Sequence, residues 1–308
     1  MKNETIVIYH GGCRDGFCAA WIVNRFMKRK KQECDFFAGY YGQSPPDCWD
    51  LDVIMVDFSY PLAEMERIIR QCRTLLVLDH HKTAMEALRP LQSVLDPALS
   101  RVRIIFDMDK SGAQMAWDAF ACNTVSPYLV PYIEDRDLWR HRLPESKTIN
   151  AYIGSLPFTF KAWDDEYERY LDEEHRLPLR EGAAVLAKVD QYVAVVRKNA
   201  LICRFMGHSV PVVNASQVDI SELLEDLLVN PLPGHQCPFS VGWWQRQDGM
   251  LVYSMRSVGD FDVSDLAKKM GGGGHKNAAG FESPVPVHVW GAGLAWEDEK
   301  VLQCRIHD

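Results

Sequence analysis

Long hydrophobic runs are missing from this chain. No stretch of ~18 uninterrupted apolar residues occurs anywhere in its 308 positions, so it offers no candidate membrane-spanning helix. The opening, Met1 to Glu4, is polar and leads directly into a strand-like segment instead of a signal sequence, and a cytoplasmic protein is expected. Paired cysteines are missing as well. The nine cysteines are an odd number, scattered without a CxxC pair, which argues against a disulfide framework and for reduced thiols. A surplus of positive charge is also lacking: 34 Lys and Arg stand against 42 Asp and Glu, a net charge of −8. Sequence-blind binding to long nucleic acid depends on clustered cations that neutralise phosphates, so an extended nucleic-acid tract is excluded as a partner. A short anionic substrate held by metal ions and a local basic patch is compatible with this balance. No repeat of fixed period is visible. What the chain does have is 47% hydrophobic residues, enough for a large core and about two domains.

The first third alternates strand-like and helix-like segments. Leu75 to Leu78 is an apolar run that stops at Asp79, His80, His81 and Lys82. Thr5 to Tyr9 is β-branched and aromatic and ends at His10, and Val53 to Val56 ends at Asp57. Between them, Gly16 to Lys31 has helical character and closes on four basic residues, and Leu62 to Cys72 opens after Pro61. Such alternation implies right-handed crossovers and a parallel sheet, whose carboxyl edge is where open α/β sheets place ligands. The pattern continues through Arg103 to Phe106, Asp107, and a helix from Gly112 to Cys122 for which Ser111 and Gly112 read as capping residues. A second acid cluster, Glu134, Asp135 and Asp137, ends the apolar stretch at Tyr132 and Ile133. The acidic run from Trp163 to Arg180 reads as a solvated helix face or linker, followed by a helical segment from Glu181 to Asn199. Beyond residue 200 short strands lie close together between Pro and Gly turns, which suggests a smaller α+β domain. There Asp262 to Met270 reads as a capped helix running into Gly271 to Gly274 and His275, four glycines that would end the helix and leave backbone N–H groups bare.

Gathered at one sheet edge, His10, Cys13, Asp15, Asp57, Asp79, His80 and Asp135 suit a binuclear site for Mn²⁺, Mg²⁺ or Co²⁺ acting on phosphate. A structural zinc site built on His10, Cys13 and Cys18 is an alternative that no CxxC pair supports. Trp139, Trp243 and Trp244 have faces that could stack on a base, though aromatics in strands are ordinarily core.

Asp79-His80-His81, combined with the late run Gly272-Gly273-Gly274-His275-Lys276-Asn277-Ala278-Ala279-Gly280, resembles the DHH phosphoesterase superfamily, in the branch with a DHH-associated C-terminal domain. The resemblance extends from His10 to about Phe281. It implies an α/β parallel-sheet DHH domain over residues 1–195 with a helical linker at its end, and a substrate-binding domain over 200–308. Asp15 matches the second acid of the family's first motif, with Gly16 after it, and Cys13 stands where that motif most often has an acid. A thiolate there is a softer ligand and puts the first metal position in doubt. Asp57 matches the second-motif acid between the metals, and His10 the histidine ahead of the first acid pair. His80 corresponds to the metal-binding imidazole, Asp79 supports the cluster, and His81 faces the scissile phosphate, so His81 and Asp79 are the catalytic candidates. Asp135 is chosen for the fourth-motif ligand, with Asp137 the competing assignment. Arg256, Gly272, Gly273, Gly274 and His275 are implied to bind substrate.

The resemblance points to a hydrolase with two divalent ions, manganese first, acting on short oligonucleotides, linear dinucleotides or nucleoside bisphosphates. A RecJ-like single-strand exonuclease and a non-catalytic nucleotide sensor are the alternatives. Homodimerisation through the linker is allowed, though no residue demands it.

Overall fold

The computed structural model describes residues 3–94, 101–121, 126–173, 176–216 and 219–290. The chain divides into two compact units, Met1–Asp190 and Gln191–Asp308.

The first unit is built on a five-stranded sheet of β1 (Thr5–His10), β2 (Asp35–Gly39), β3 (Asp52–Val56), β4 (Thr74–Asp79) and β5 (Val102–Phe106). The strands run in the order β2-β1-β3-β4-β5, and every pairing is parallel. Helices α1 (Arg14–Arg29), α2 (Leu62–Gln71), α3 (Lys82–Val94) and α4 (Gly112–Phe120) connect or follow the strands. Both faces of the sheet are covered: Val7 packs with Trp21, Ile22 and Ala116 on one side, and Ile6 and Ile8 pack with Met55, Met65 and Val77 on the other. Burial on both sides accounts for unbroken apolar strands in place of alternating ones. The edge strand β2 escaped the sequence reading because it opens on Asp35 and only Gly39 in it is fully buried.

From β1 the chain crosses to β2 on one side and then to β3 on the other. The reversal leaves a crevice at the carboxyl ends of β1 and β3, the topological switch point of an open α/β sheet. Four further helices follow: α5 (Leu129–Asp137), α6 (Ser146–Ser155), α7 (Phe160–Glu173) and α8 (Arg176–Val196). The acidic run proves two-sided. On α7, Asp165 and Glu168 are solvated as expected, whereas Glu166 is buried and accepts hydrogen bonds of 2.6 Å from both the Tyr128 and Tyr152 hydroxyls.

The second unit is a seven-stranded mixed sheet: β6 (Leu201–Phe205), β7 (His208–Asn214), β8 (Phe239–Gln245), β9 (Leu251–Ser257), β10 (Gly273–His275), β11 (Ala278–Ser283) and β12 (His288–Trp290). Its order is β10-β11-β9-β8-β7-β6-β12, with only β7 and β8 parallel. Helices α9 (Ile220–Val229) and α10 (Val263–Lys269) belong to this unit, whose core includes Phe205, Phe239, Tyr253, Met255 and Phe281. The fold is thus the expected α/β unit followed by an α+β unit. No described helix is long and apolar enough to cross a membrane.

Candidate metal centre

Three strands of the parallel sheet end in polar residues at one rim, and the connections after them fold those side chains together. His10 closes β1, Asp57 follows β3, and Asp79 closes β4 with His80 and His81 directly after it. Asp57 takes a left-handed backbone (φ 55°), a conformation aspartate tolerates better than most residues, and its N–H donates to the Leu78 carbonyl at 2.9 Å. This kink ends the strand and turns the carboxylate into the crevice.

His80 Nε2 is the hub. It lies 2.9 Å from Asp57 Oδ1, 3.4 Å from Asp15 Oδ2 and 3.5 Å from Asp137 Oδ2, and all but Asp137 are almost fully buried. On the far side of Asp57, His10 Nδ1 stands 3.4 Å from Asp57 Oδ2, and His81 Nδ1 lies 4.0 Å from Asp57 Oδ1. Two donor sets result, Asp15 with His80 and Asp137, and His10 with Asp57 and His81, in each of which the ligand atoms lie within 4.8 Å of one another. Ligands around a cation with bonds of roughly 2.0–2.2 Å are spaced on this scale.

Asp15 is held by a helix terminus. The Gly112 and Ala113 N–H groups at the start of α4 donate to its Oδ2 and Oδ1 at 2.6 and 2.8 Å, which directs the carboxylate and sets it against the positive end of the helix dipole. Ser111 caps the same helix, its hydroxyl accepting from the Gln114 N–H at 3.2 Å. Gly112 is required by contact: a Cβ there would fall 2.4 Å from Asp57 Cβ and 3.0 Å from Asp15 Oδ2. The cap is legible in the sequence; the place of Gly112 as spacer between two acids depends on the packing of α4 against Asp57.

Asp79 has a different duty. Its Oδ1 accepts from the His80 N–H (2.7 Å), the His81 N–H (3.1 Å) and His81 Nδ1 (2.8 Å), and its Oδ2 accepts from the Ser59 hydroxyl (2.6 Å). Both oxygens are engaged, so Asp79 fixes the tautomer and ring direction of His81.

The acid from α5 is Asp137, not Asp135. Asp135 accepts from the Arg142 and Leu143 N–H groups at 2.8 and 3.3 Å and from the Ser146 hydroxyl at 2.5 Å, and so fastens the turn between α5 and α6. The segment is a helix, in which residues two apart point about 200° away from each other, so only one of the two can face the cluster.

Cys13 lies beside the cluster without joining either donor set. Burial first, then the Asp57 carboxylate, raises its thiol pKa against the opposing influence of a hydrogen bond with His10. A thiol kept protonated is a poor metal ligand. Cys18, the third member of the zinc alternative, is fully buried in the apolar core with Phe17 and Trp21.

The electrostatics are those of an acid-rich pocket. Burial, followed by the Asp15 carboxylate, pushes Asp137 up to about 7. Burial and Asp57 likewise raise Asp15. Asp57 moves the other way: hydrogen bonds with His10 and His80 outweigh its burial and hold it well below the usual carboxylate range. His80 is raised well above its ordinary value because Asp15 and Asp57 overcome the opposing effect of burial. The buried oxygens Asp57 Oδ2 and Asp137 Oδ2 make no short hydrogen bond, only the 3.4 Å approach of His10 Nδ1 and the 3.5 Å approach of His80 Nε2. Weakly satisfied buried oxygens, a carboxylate driven towards neutrality and an all-oxygen-and-imidazole donor set fit a divalent cation that binds in place of protons.

Among the expected substrate contacts, Arg256 sits on β9 and donates to the Ser221 hydroxyl on α9 at 2.7 Å and to the Met255 carbonyl at 2.8 Å. The glycine run departs from expectation. Gly271 (φ 75°) and Gly272 donate to the Lys268 and Ala267 carbonyls at 3.0 and 2.9 Å, a Schellman closure of α10, so neither N–H is bare. Gly273, Gly274 and His275 form β10 and pair with Gly280, Ala279 and Ala278. A Cβ at Gly272 would meet the Gly280 carbonyl oxygen at 2.1 Å, so close packing of β10 against β11 is the reason for glycine there.

Residues 239–289 match the family model described as the DHHA1 domain. The chain resembles DHH phosphoesterases that end in this domain, and its second unit contains the matching segment. A curated relative, uncharacterized protein R106 of Acanthamoeba polyphaga mimivirus, is 28% identical, with 89% of this chain and 66% of the relative covered. The chain therefore spans a little under two thirds of that relative. Solved structures similar to it include the pGpG-specific phosphodiesterase PggH from Vibrio cholrae (12% identity, TM-score 0.44, 98% of this chain and 97% of that one). Others are an exopolyphosphatase-related protein from Bacteroides fragilis (13%, 0.47, 97% and 90%) and RecJ in complex with Mn²⁺ from Thermus thermophilus (17%, 0.43, 91% and 49%).

Proposed function

We propose that this chain is a divalent-metal-dependent phosphoesterase that hydrolyses short nucleotide-type phosphodiesters or terminal phosphomonoesters, with manganese as the preferred ion. The observation that carries this reading is the convergence of Asp15, Asp57, His80 and Asp137 at the switch point of the sheet, beside His10 and His81. Asp15, His80 and Asp137 would hold one ion and His10 and Asp57 the other, with Asp57 between them. A divalent pair at such a site activates water and neutralises charge on the phosphoryl group.

The remaining work falls to the chain's own side chains. His81, its Nδ1–H committed to Asp79, would give a proton through Nε2 to the departing oxygen. Arg256 and the DHHA1 segment of the second unit are the candidates for binding substrate, as the family resemblance implies. The net charge of −8 favours short substrates, because a long strand is held by clustered cations that neutralise its phosphates. The test is a panel of nucleoside bisphosphates, linear dinucleotides and longer strands with Mn²⁺ and Mg²⁺. Turnover that declines with chain length and vanishes in Asp57→Asn and His80→Ala supports the reading. Full turnover by both variants refutes it.

A further inference from the structure

We propose that Tyr41, seconded by Tyr40, forms a stacking shelf that reads the base next to the phosphate held at the metal centre. The proposal rests on the phosphoesterase reading and deepens it: the substrate must carry a base, so phosphate chains without one are poor ligands.

The shelf follows from the end of β2. That strand stops at Gly39, whose carbonyl accepts from the Gly11 N–H at 2.8 Å, and the chain then folds into a tight turn. The Gln43 N–H donates to the Tyr40 carbonyl at 3.2 Å, and Gly42, third in the turn, has φ 82°. This turn presents two consecutive aromatic side chains at the same rim as the metal centre. Tyr40 lies across Gly11, where a Cβ would fall 2.4 Å from its ring. Gly11 thereby lets the ring rest on the backbone that follows His10.

Tyr41 stands edge-on to two imidazoles of the site, with ring centroids 5.5 Å from His10 and 6.0 Å from His81 at interplanar angles of 69° and 72°. Fully buried Phe58 backs it at 5.1 Å. Even so, Tyr41 is 50% exposed and Tyr40 43% exposed. Isolated exposed aromatics are common, but here two in succession, one supported from behind, border a polar cluster suited to phosphate. A phosphate at His10 and His81 places its own nucleoside within reach of the Tyr41 ring. Stacking accepts any base, since every base has a π-face. The shelf therefore selects for the presence of a base and discriminates weakly among bases.

Equilibrium binding by calorimetry with Mn²⁺ present isolates this contribution, using a nucleoside monophosphate and ribose 5-phosphate, which differ only by the base. The wild-type chain should bind the nucleotide about tenfold or more tightly, the scale of one stacked base. Tyr41→Leu should bring the two affinities together without weakening ribose 5-phosphate binding, Tyr40→Leu should narrow the gap in part, and Tyr41→Phe should preserve it. Thermal unfolding of each variant confirms the fold. Equal affinities in the wild-type chain, or a preference for the nucleotide that survives both leucine variants, overturn the shelf while the phosphoesterase reading stands. Binding of neither compound, with no phosphate ester hydrolysed, overturns both.

Discussion

The imidazole Nε2 of His80 and the carboxylate Oδ1 of Asp57 stand 2.9 Å apart, buried at the end of two adjacent parallel strands. This pair joins the two donor sets. Asp57 reaches His10 with its other oxygen, and His80 reaches Asp15 and Asp137 with the same nitrogen. Without a cation, a proton on His80 balances the acids. A metal ion would replace that proton, so affinity for the ion and the protonation of the cluster are linked.

Asp135 and Asp137 separate structure from binding. Asp135→Asn disrupts contacts to two backbone N–H groups and a hydroxyl and should destabilise the first unit by about 1–3 kcal/mol in chemical denaturation, with Mn²⁺ affinity little changed. Asp137→Asn should not destabilise the unit and should weaken Mn²⁺ binding by at least about tenfold, measured by calorimetry. The reverse pattern would return the ligand assignment to Asp135.

Gly112→Ala should damage the centre without altering any ionisable group. The added methyl would fall 2.4 Å from Asp57 Cβ and 2.9 Å from its Cα, atoms that cannot rotate away. Overpacking of this kind costs about 1–3 kcal/mol, and displacement of Asp57 should remove most Mn²⁺ binding. Retention of wild-type affinity would contradict the spacer role.

The pH dependence follows from Asp137, whose pKa rises from 3.8 to about 7 on folding. A raised folded-state pKa means that the folded chain binds the proton more tightly than the unfolded one. The resulting stabilisation is complete below about pH 4 and is lost as pH rises through about 7. Metal-free Asp137→Asn should therefore gain stability relative to the wild-type chain as pH rises from about 4 to about 7 in parallel denaturation curves. Mn²⁺ affinity of the wild-type chain should fall as pH drops below about 7, because the ion then competes with a proton. A difference between the two proteins that does not vary with pH would contradict this assignment.

Ser59 and Asp79 test the orientation of His81. Ser59→Ala strips Asp79 Oδ2 of its partner and should cost about 1–3 kcal/mol. Asp79→Asn permits the wrong tautomer of His81 and should lower the maximal rate by ~10²-fold or more, leaving Mn²⁺ affinity close to normal. Equal losses of affinity and rate would make Asp79 a metal ligand instead.

Much of the site could be read from the sequence because its residues punctuate apolar strands. His10, Asp57 and Asp79-His80-His81 each end a run that only a doubly covered strand explains, and parallel pairing aligns the ends. The choice between Asp135 and Asp137 could not be read, because it depends on whether the segment is strand or helix: residues two apart share a face in one and oppose each other in the other. The glycine run was legible as a helix stop, but which N–H groups remain bare depends on the Schellman closure and the pairing of β10 with β11. Tyr40 and Tyr41 gave no signal, since the half-buried edge strand ahead of them was itself missed and only its end at Gly39 aims them at the centre.

Anomalous diffraction at the manganese edge, from crystals grown with Mn²⁺, locates the ions outright. One peak should appear among Asp15, His80 and Asp137 and a second between His10 and Asp57. Peaks elsewhere, or none, with His80 still paired to Asp57 at 2.9 Å, would contradict the two-ion centre.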